Sequence, residues 1–201
     1  MVIVGFSLKE RKKKVIFTYE KPNSEIPDYT IVKKINSYLV EGDEVFLKNS
    51  RNPICDVPKM VFGSMPNDGG NLLLDKKQKD ELLIVEPDAE KFIKNLISAR
   101  EYLNNGERYC LWLEDITPSE LNNLPVVKHK VQKVREYRLE SKRDVTRKLA
   151  DFSTQFGENR QPKTDYILIP LTTSENREYI PLGFINKDNI VNNTVSIIES
   201  R

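Results

Sequence analysis

Residues 52–74 constrain the fold more than any other part of this chain, because proline and glycine recur throughout them. The punctuating residues are Pro53, Pro58, Gly63, Pro66, Gly69 and Gly70. Proline fixes φ and lacks an amide donor, whereas glycine readily adopts positive φ. The stretch therefore predicts a rigid, shaped loop in place of a helix or a strand.

Two kinds of side chain lie between these residues. We expect the apolar residues 60–62 to fasten the loop to a core, and the polar side chains of Ser64, Asn67 and Asp68 to point outward. A rigid loop that offers small polar groups suits contact with a phosphate or a base edge. A glycine turn at the surface, without a ligand, is the alternative.

Residues 126–152 contain neither proline nor glycine, and their apolar residues recur at the spacing of one helical stripe. This stripe comprises Val127, Val131, Val134, Val145, Leu149 and Phe152, and Arg138 interrupts it, with internal pairing as one interpretation. The other faces carry the most basic set in the chain, namely Lys128, Lys130, Lys133, Arg135, Lys142, Arg143, Arg147 and Lys148. Such a charge run is either a solvated helix face or a surface that contacts phosphates.

Shorter patterns supply the remaining elements. Apolar runs predict strands at residues 2–6, 15–19, 44–47, 109–113, 166–170, 179–185 and 195–198. Capping signals predict helices after Asp75 and after Thr117, and apolar spacing predicts another from Asp88 to residues 104–106. A short helical turn is predicted around residues 31–39. The predicted fold class is α+β, with strand-rich ends and a helical middle section.

Four blocks of sequence, taken in order, resemble one known family. They are residues 55–74 (CDVPKMVFGSMPNDGGNLLL), 108–113 (RYCLWL), 156–162 (FGENRQP), and 174–177 (SENR) with 179–181 (YIP). In order and spacing they resemble the target-recognition domain of large single-chain DNA adenine methyltransferases of type II restriction–modification systems, the MmeI-like enzymes. The resemblance covers nearly the whole chain.

The resemblance implies a domain organisation and a function. Residues 1–20 would be the last strands of an upstream α/β methyltransferase domain, 21–45 a connection, and 46–201 the DNA target-recognition domain. The implied function is sequence-specific recognition of double-stranded DNA, which positions a site for N6-adenine methylation by the adjoining catalytic domain. S-adenosylmethionine would be the cofactor of the parent enzyme, and whether a nuclease is fused to it is left open.

The motifs for that chemistry are missing from this sequence. Neither a glycine-rich cofactor motif nor an Asn/Asp-Pro-Pro-Tyr motif occurs, since Asn52-Pro53 is followed by Ile54. The single His129 has no Cys or Asp partner at metal-ligand spacing, and the two cysteines, read as packing residues, form no CxxC pair. We therefore expect the chain to bind DNA without catalysing a reaction, and to need no cofactor or metal of its own.

Residue types that read bases are concentrated in two loops. Arginine forms a bidentate contact with guanine, and asparagine or glutamine does so with adenine. The first loop offers Asn159, Arg160 and Gln161, with a loop ion pair as the alternative for Arg160. The second polar loop, residues 172–177, offers Ser174, Asn176 and Arg177. With residues of the Pro/Gly loop (52–74) and of the basic helix, the predicted DNA-binding set is Ser64, Asn67, Lys142, Arg143, Arg147, Asn159, Arg160, Gln161, Ser174, Asn176 and Arg177.

Composition sets the remaining limits. A net charge of only +2 means that a DNA-binding surface must arise from uneven charge distribution. The sequence has no apolar run of bilayer length and no secretory start, so we expect a cytoplasmic protein. A protein-interaction or scaffold domain of a larger bacterial enzyme is the competing interpretation. RNA binding is a third, although aromatic side chains placed for stacking are not evident.

Overall fold

The computed structural model describes residues 8–9, 13–21, 23–43, 48–50, 52–53 and 55–199. The chain divides into two compact units, Met1–Cys55 and Asp56–Arg201. No helix in the described ranges has both the length and the apolar character needed to cross a bilayer. The predicted strands at residues 2–6 and 44–47 lie outside the described residues.

Strands predominate at both ends of the described chain, and most of the helices lie between them. The strands are β1 (Lys14–Thr18), β2 (Asp28–Val32), β3 (Val61–Phe62), β4 (Leu73–Leu74), β5 (Ile93–Ile97), β6 (Tyr109–Leu111), β7 (Tyr166–Pro170), β8 (Gly183–Ile185), β9 (Ile190–Val191) and β10 (Val195–Glu199). The α-helices are α1 (Lys76–Val85), α2 (Ala99–Asn104), α3 (Pro118–Asn122), α4 (Pro125–Leu139) and α5 (Asp144–Lys148), and 3₁₀ turns span Pro87–Phe92 and Leu149–Phe152. The predicted α+β class is confirmed.

The first unit contains an antiparallel strand pair. β1 pairs with β2, so that Val15 faces Ile31 and Phe17 faces Tyr29 across the ladder. This confirms the strand predicted at residues 15–19. The helical turn predicted around residues 31–39 is wrong, because Ile31 belongs to β2 and the cross-strand hydrogen bonds replace those of a helix.

In the second unit, one four-stranded sheet has the order β4-β6-β5-β9. β9 joins β5 in parallel, whereas the other pairs are antiparallel. Leu74, Leu96 and Leu111 of this sheet are almost wholly buried and pack with Val127 and Val134 of α4. This larger core fixes where α4 lies.

The helix predicted from Asp88 is partly wrong. Residues 87–92 form a 3₁₀ turn and residues 93–97 form β5. Ile93 and Ile97 suit both periods, but β-branched residues favour a pleated strand, and pairing with β6 and β9 satisfies their backbone. Helix returns only at α2, which ends at Asn105 with a φ of +51°, as the Asn-Asn-Gly signal predicts.

The other sheet has the order β3-β10-β7-β8 and covers a smaller core around Tyr166, Leu168 and Ile197. β7 and β10 confirm two predicted strands. The third prediction, residues 179–185, holds only for β8, because Tyr179 and Ile180 lie in an exposed connection.

The expectation that residues 60–62 fasten the Pro/Gly loop to a core is wrong. Met60, Val61 and Phe62 are 59%, 43% and 52% exposed, and Val61 and Phe62 form the edge strand β3. It is Leu72 and Leu74, at the other end of the loop, that enter the core. The loop is therefore held at both ends by edge strands, β3 of one sheet and β4 of the other, and only its second end is buried in a core.

The predicted helix caps are present. Asp75 and Gln78 form a capping box on α1, and Thr117 and Glu120 form one on α3, with Pro118 at the first position. α4 lacks a side-chain cap from its own N-cap residue. Instead, the buried Glu86 accepts hydrogen bonds from the backbone N–H groups of Val126 (2.5 Å) and Val127 (3.2 Å).

The single helix predicted over residues 126–152 is broken after α4. The hydroxyl of Ser141 accepts a hydrogen bond from the backbone N–H of Arg143 (3.2 Å), a local bond of the kind that competes with helix continuation. α5 and a 3₁₀ turn follow. The apolar stripe holds for Val127 and Val134 but fails beyond the break, where Val145 and Phe152 are 75% and 58% exposed.

Candidate nucleic-acid interface

The Pro/Gly loop begins with a close backbone approach. A Cβ on Gly63 would lie 2.2 Å from the carbonyl oxygen of Asn192, so this position requires glycine. Ser64 is fully buried, and its hydroxyl accepts a hydrogen bond from the backbone N–H of Arg160 (2.9 Å). The expectation that Ser64 points outward is therefore wrong, and Ser64 instead links two loops.

The tip of the loop is rigid for a second reason. Asp68 is 4% exposed, and its carboxylate accepts hydrogen bonds from the backbone N–H groups of Gly70 (3.0 Å) and Leu72 (2.6 Å). The outward orientation expected of Asp68 is also wrong. Asn67 has a φ of +46°, which asparagine tolerates better than most residues, and its side chain remains partly accessible.

Arg138 is the buried centre of this region. Its side chain is wholly inaccessible, and the five N–H groups of its guanidinium point to carbonyl oxygens. The acceptors are the carbonyls of Pro66 (3.0 Å), Asn67 (2.9 Å), Leu149 (2.9 Å), Phe152 (2.9 Å) and Gln155 (2.7 Å). Burial lowers the pKa of Arg138, and the negative charge of Asp68 opposes that shift. Internal pairing is thus the correct interpretation of this residue.

A cleft of about 420 Å³ lies where the Pro/Gly loop faces the junction of α4 and α5. It brings together two predicted DNA-binding residues, Asn67 and Arg143. The full lining is Met65, Asn67, Tyr137, Glu140, Ser141, Arg143 and Thr146. The lining thus includes two side chains that can donate hydrogen bonds to an acceptor-rich ligand, Asn67 and Arg143, together with the carboxylate of Glu140.

The three predicted cations at this junction differ in their availability. Lys142 and Arg143 are exposed, and neither pairs with a carboxylate among the residues that the structure describes. Arg147 pairs with Asp144 and donates a hydrogen bond to the carbonyl of Ser141 (2.7 Å). Lys142 and Arg143 are accordingly the better placed of the three to bind an anion.

The segment of residues 156–162 lies against the Pro/Gly loop. Phe156 meets Trp112 edge-on, with ring centroids 5.0 Å apart. The backbone of Glu158 exchanges two hydrogen bonds with that of Met65 (2.9 and 3.0 Å). Three of the four sequence blocks thus meet at one place in the fold.

The base-reading candidates of this segment have partners in the structure. The guanidinium of Arg160 pairs with the carboxylate of Glu158, two residues away, while the side chain is still 37% exposed. Gln161 donates both amide hydrogens to the carbonyls of Lys187 (2.9 Å) and Asn189 (2.8 Å). Asn159 is exposed, and its side-chain oxygen accepts a hydrogen bond from the backbone N–H of Gln161 (3.0 Å).

The second polar loop makes its contacts elsewhere. Arg177 donates a hydrogen bond to the carbonyl of Leu103 at the end of α2 (3.3 Å). The hydroxyl of Ser174 accepts one from the backbone N–H of Asn176 (3.2 Å), and all three residues of this loop are exposed. None of them lines the cleft, so the predicted set separates into a cluster at the cleft and a loop beside α2.

Sequence reasoning missed several residues of the cleft. Tyr137, Ser141 and Thr146 line it, and Glu158 holds Arg160. The position of Glu158 two residues before Arg160 was a usable signal for that ion pair. Among the described residues no group of three His, Cys, Asp or Glu side chains is placed to hold a metal ion.

Comparison with known proteins identifies the family of this chain. A family model described as the MmeI target recognition domain matches residues 41–201. DNA methyltransferase A of Bacillus subtilis (strain 168) is 32% identical over 199 residues, which are 98% of this chain and 22% of that protein. A solved structure of the Type IIL restriction-modification enzyme MmeI in complex with DNA matches 96% of this chain and 26% of that one, at 38% identity and a TM-score of 0.84. This chain thus spans about a quarter of the length of these relatives.

Proposed function

The chain belongs to the family of MmeI target recognition domains, and from that membership we propose that it recognises a specific sequence in double-stranded DNA. In the parent protein it would position the site for N6-adenine methylation by an adjoining catalytic domain. The proposal places the chain in the cytoplasm, where bacterial DNA is. It also assigns residues 1–20 to the end of that catalytic domain, 21–45 to a connection and 46–201 to recognition.

One observation carries the proposal from this chain's own residues. The cleft between the Pro/Gly loop and the α4–α5 junction is lined by both Asn67 and the exposed Arg143. Phosphate contacts position a protein on a duplex, while contacts to base edges specify sequence. We assign Lys142 and Arg143 to phosphates, with Arg147 in support, and Asn67 to the groove.

Arg160 is the strongest candidate for direct base readout. Its guanidinium is partly exposed and is held by a carboxylate on the same loop. An exposed ion pair contributes little stability, so exchanging Glu158 for a guanine edge costs little. Asn159 precedes it in the chain and is also exposed.

Ser64 and Gln161 support the interface from within. The buried hydroxyl of Ser64 holds the Arg160 backbone, and the amide of Gln161 holds the chain next to β9. Ser174, Asn176 and Arg177 remain candidates for a second contact with the duplex, beside α2.

S-adenosylmethionine is assigned to parts of the parent protein outside this chain. A cleft of about 630 Å³ between α1 and α2 is lined mainly by polar and charged side chains, among them Arg100, Glu101 and Arg108, and contains no aromatic ring. It does not fit a cofactor whose adenine ring needs an apolar slot. No step of the reaction is therefore placed on this chain.

A protein-interaction role is the second candidate, and one observation favours it. Tyr179, Ile180, Leu182 and Phe184 are 78%, 70%, 53% and 84% exposed, next to the second polar loop. Exposed apolar patches often mark protein interfaces. Binding through such a patch depends little on salt, whereas binding to a duplex weakens steeply as salt rises.

The salt dependence of duplex binding tests the proposal. We would measure the dissociation constant of the chain for a random-sequence duplex at several salt concentrations. Lys142→Gln with Arg143→Gln should flatten the log–log slope by roughly 1–2 units, since each phosphate contact contributes about 0.9. The matched control is Lys76→Gln with Lys77→Gln on α1, where both lysines already pair with carboxylates. Equal slopes for the two double variants would remove the α4–α5 junction from the interface.

The role of Arg160 requires a panel of duplexes. We would select the preferred duplex from a random pool with the wild-type chain and then vary it one base pair at a time. If Arg160 reads a base, Arg160→Ala should lose about 5- to 100-fold of discrimination at one position only. A uniform loss across the panel would reassign Arg160 to the DNA backbone.

A further inference from the structure

We propose that Arg138 is a positioning residue for sequence recognition: its buried guanidinium fixes the Pro/Gly loop against residues 149–157 and so sets the spacing of the base-reading side chains. This inference rests on the proposed function. It predicts that Arg138 affects the sequence specificity of duplex binding and has little effect on the affinity for non-specific duplexes.

The hydrogen bonds of Arg138 join separate parts of the chain. Nε and Nη2 donate to Asn67 (2.9 Å) and Pro66 (3.0 Å) in the Pro/Gly loop, about 70 residues away. Nη1 donates to Leu149 and Phe152 (both 2.9 Å), and Nη2 also donates to Gln155 (2.7 Å). A planar fork with five donors at fixed angles holds these acceptors in one mutual arrangement.

The arrangement extends directly to the recognition side chains. Asn67 is itself one of the acceptors of Arg138. Two residues before Asn67, the backbone of Met65 pairs with the backbone of Glu158. The carboxylate of Glu158 in turn pairs with the guanidinium of Arg160. Both candidate base readers therefore lie within two residues of a backbone that Arg138 fixes directly or through one pair of hydrogen bonds.

The junction is also tightly packed. A Cβ on Gly157 would lie 2.7 Å from the Cβ of Asn67, so the close approach of the two segments leaves no room for a side chain at position 157. Arg138 itself is 0% exposed and cannot contact a phosphate. Its contribution to DNA binding must therefore pass through the segments that it holds.

Lysine is an informative replacement at this position. It keeps the positive charge but offers three donors from a single point, so at least two of the five carbonyls lose the hydrogen bond that Arg138 donates to them. The loop then gains freedom at Pro66 and Asn67, while the exposed cations of α4 and α5 stay in place. The expected result is relaxed specificity with almost unchanged non-specific binding.

The test compares Arg138→Lys with Val134→Ala in the full 201-residue chain. Val134 is also fully buried on α4, one turn before Arg138, but its apolar side chain packs in the core and makes none of these hydrogen bonds. The probes are a duplex selected from a random pool by the wild-type chain and a scrambled duplex of the same length. The readout is the specificity ratio, which is the dissociation constant for the scrambled duplex divided by that for the selected duplex. It is measured under conditions in which circular dichroism shows each variant folded.

We expect Arg138→Lys to reduce this ratio at least tenfold, with less than a twofold change for the scrambled duplex. Val134→Ala should lower the melting temperature but leave the ratio within a factor of two. Equal ratios for the two variants would overturn the inference. A wild-type chain that prefers no duplex would overturn the proposed function itself, and this inference with it.

A second variant decides the matter if Arg138→Lys does not fold. Gly157→Ala places a methyl group against the side chain of Asn67 and so displaces Asn67, while the guanidinium of Arg138 is kept. It should reduce the ratio in the same way. A folded Gly157→Ala chain with the wild-type ratio would mean that the spacing at this junction does not determine specificity.

Discussion

Glu86 offers a direct test of how the basic helix is held. Its carboxylate is 5% exposed and accepts hydrogen bonds from two backbone N–H groups at the start of α4, those of Val126 and Val127. The N-terminus of a helix has four N–H groups without internal partners and carries a partial positive charge. The N-cap residue Leu124 provides no side-chain acceptor, so Glu86 supplies the cap from a distant part of the chain.

The expected cost of Glu86→Ala follows from these two bonds. Losing a cap costs about 0.5–2 kcal/mol, and each buried N–H left without a partner costs about 1–3 kcal/mol. Removing a buried carboxylate also relieves its desolvation, which offsets part of the loss. We expect a net destabilisation of about 2–4 kcal/mol, which for a domain of this size lowers the melting temperature by about 4–16 °C.

Urea denaturation followed by tryptophan fluorescence would measure this change. Trp112, the only tryptophan, packs against the core of the second unit and reports its unfolding. Glu86→Gln should fall between Ala and wild type, because its amide keeps one acceptor but turns a donor toward the second N–H. The control is Glu90→Ala, an exposed site in the 3₁₀ turn that follows Glu86, expected within about 0.5 kcal/mol of wild type. Equal midpoints for Glu86→Ala and Glu90→Ala would refute the capping role.

Three further outcomes can be measured. Gly63→Ala should destabilise the second unit by about 1–3 kcal/mol, because the added Cβ would lie 2.2 Å from a backbone carbonyl oxygen, and an unchanged urea midpoint would contradict this. Iodoacetamide at pH 8 should label the exposed Cys55 and spare Cys110, because burial, assisted by a nearby negative charge, raises the pKa of the Cys110 thiol to about 12; labelling of both in the folded chain would be the contrary result. Glu120, whose pKa a hydrogen bond from Lys91 lowers to about 2, should stabilise the chain above pH 4.5 and progressively less as the pH falls toward 2. Glu120→Gln should therefore lower the melting temperature at pH 7 but not near pH 2, and a deficit equal at both pH values would argue against the ion pair.

The sequence predicted the features that depend on near neighbours. The capping boxes of Asp75 and Thr117 need only residues three positions apart, and both are present. The continuous apolar runs of β7 and β10 likewise identify buried strands. The four family blocks identified the class of domain because their order does not depend on any contact.

The failures share a long-range cause. Residues 93–97 became a strand because a partner 94 residues later in the chain, near Asn189, completes the sheet, as the Asn95–Asn189 hydrogen bond illustrates. Ser64 was expected outside because a small polar residue in a loop usually is, yet its partner is the backbone of Arg160. Gln161 was predicted to read a base, but in the structure its amide donates hydrogen bonds to two carbonyls beside β9. Each of these partners is too far away in the sequence for a pattern of neighbouring residues to indicate it.

Cys55 shows the opposite error, because a residue predicted to be packed is exposed. Both cysteines read as packing residues from the sequence, yet only Cys110 is buried, inside the central strand β6. Cys55 is exposed, in the first part of the Pro/Gly loop. An apolar side chain in a loop carries no local sign of what, if anything, will cover it.

The parallel strand β9 has a consequence for synthesis on the ribosome. β4, β5 and β6 are made early, but their sheet gains its fourth strand only when Ile190 and Val191 emerge, after α4, α5 and β7 have been translated. Contacts between distant parts of a chain form slowly, and an unpaired sheet edge invites association with other chains in the meantime. Protease digestion of ribosome-bound chains of increasing length would show this as protection that appears only once residue 191 is outside the exit tunnel. Until then β5 is an unpaired edge strand of the nascent domain, and during this interval the edge is available for binding by molecular chaperones.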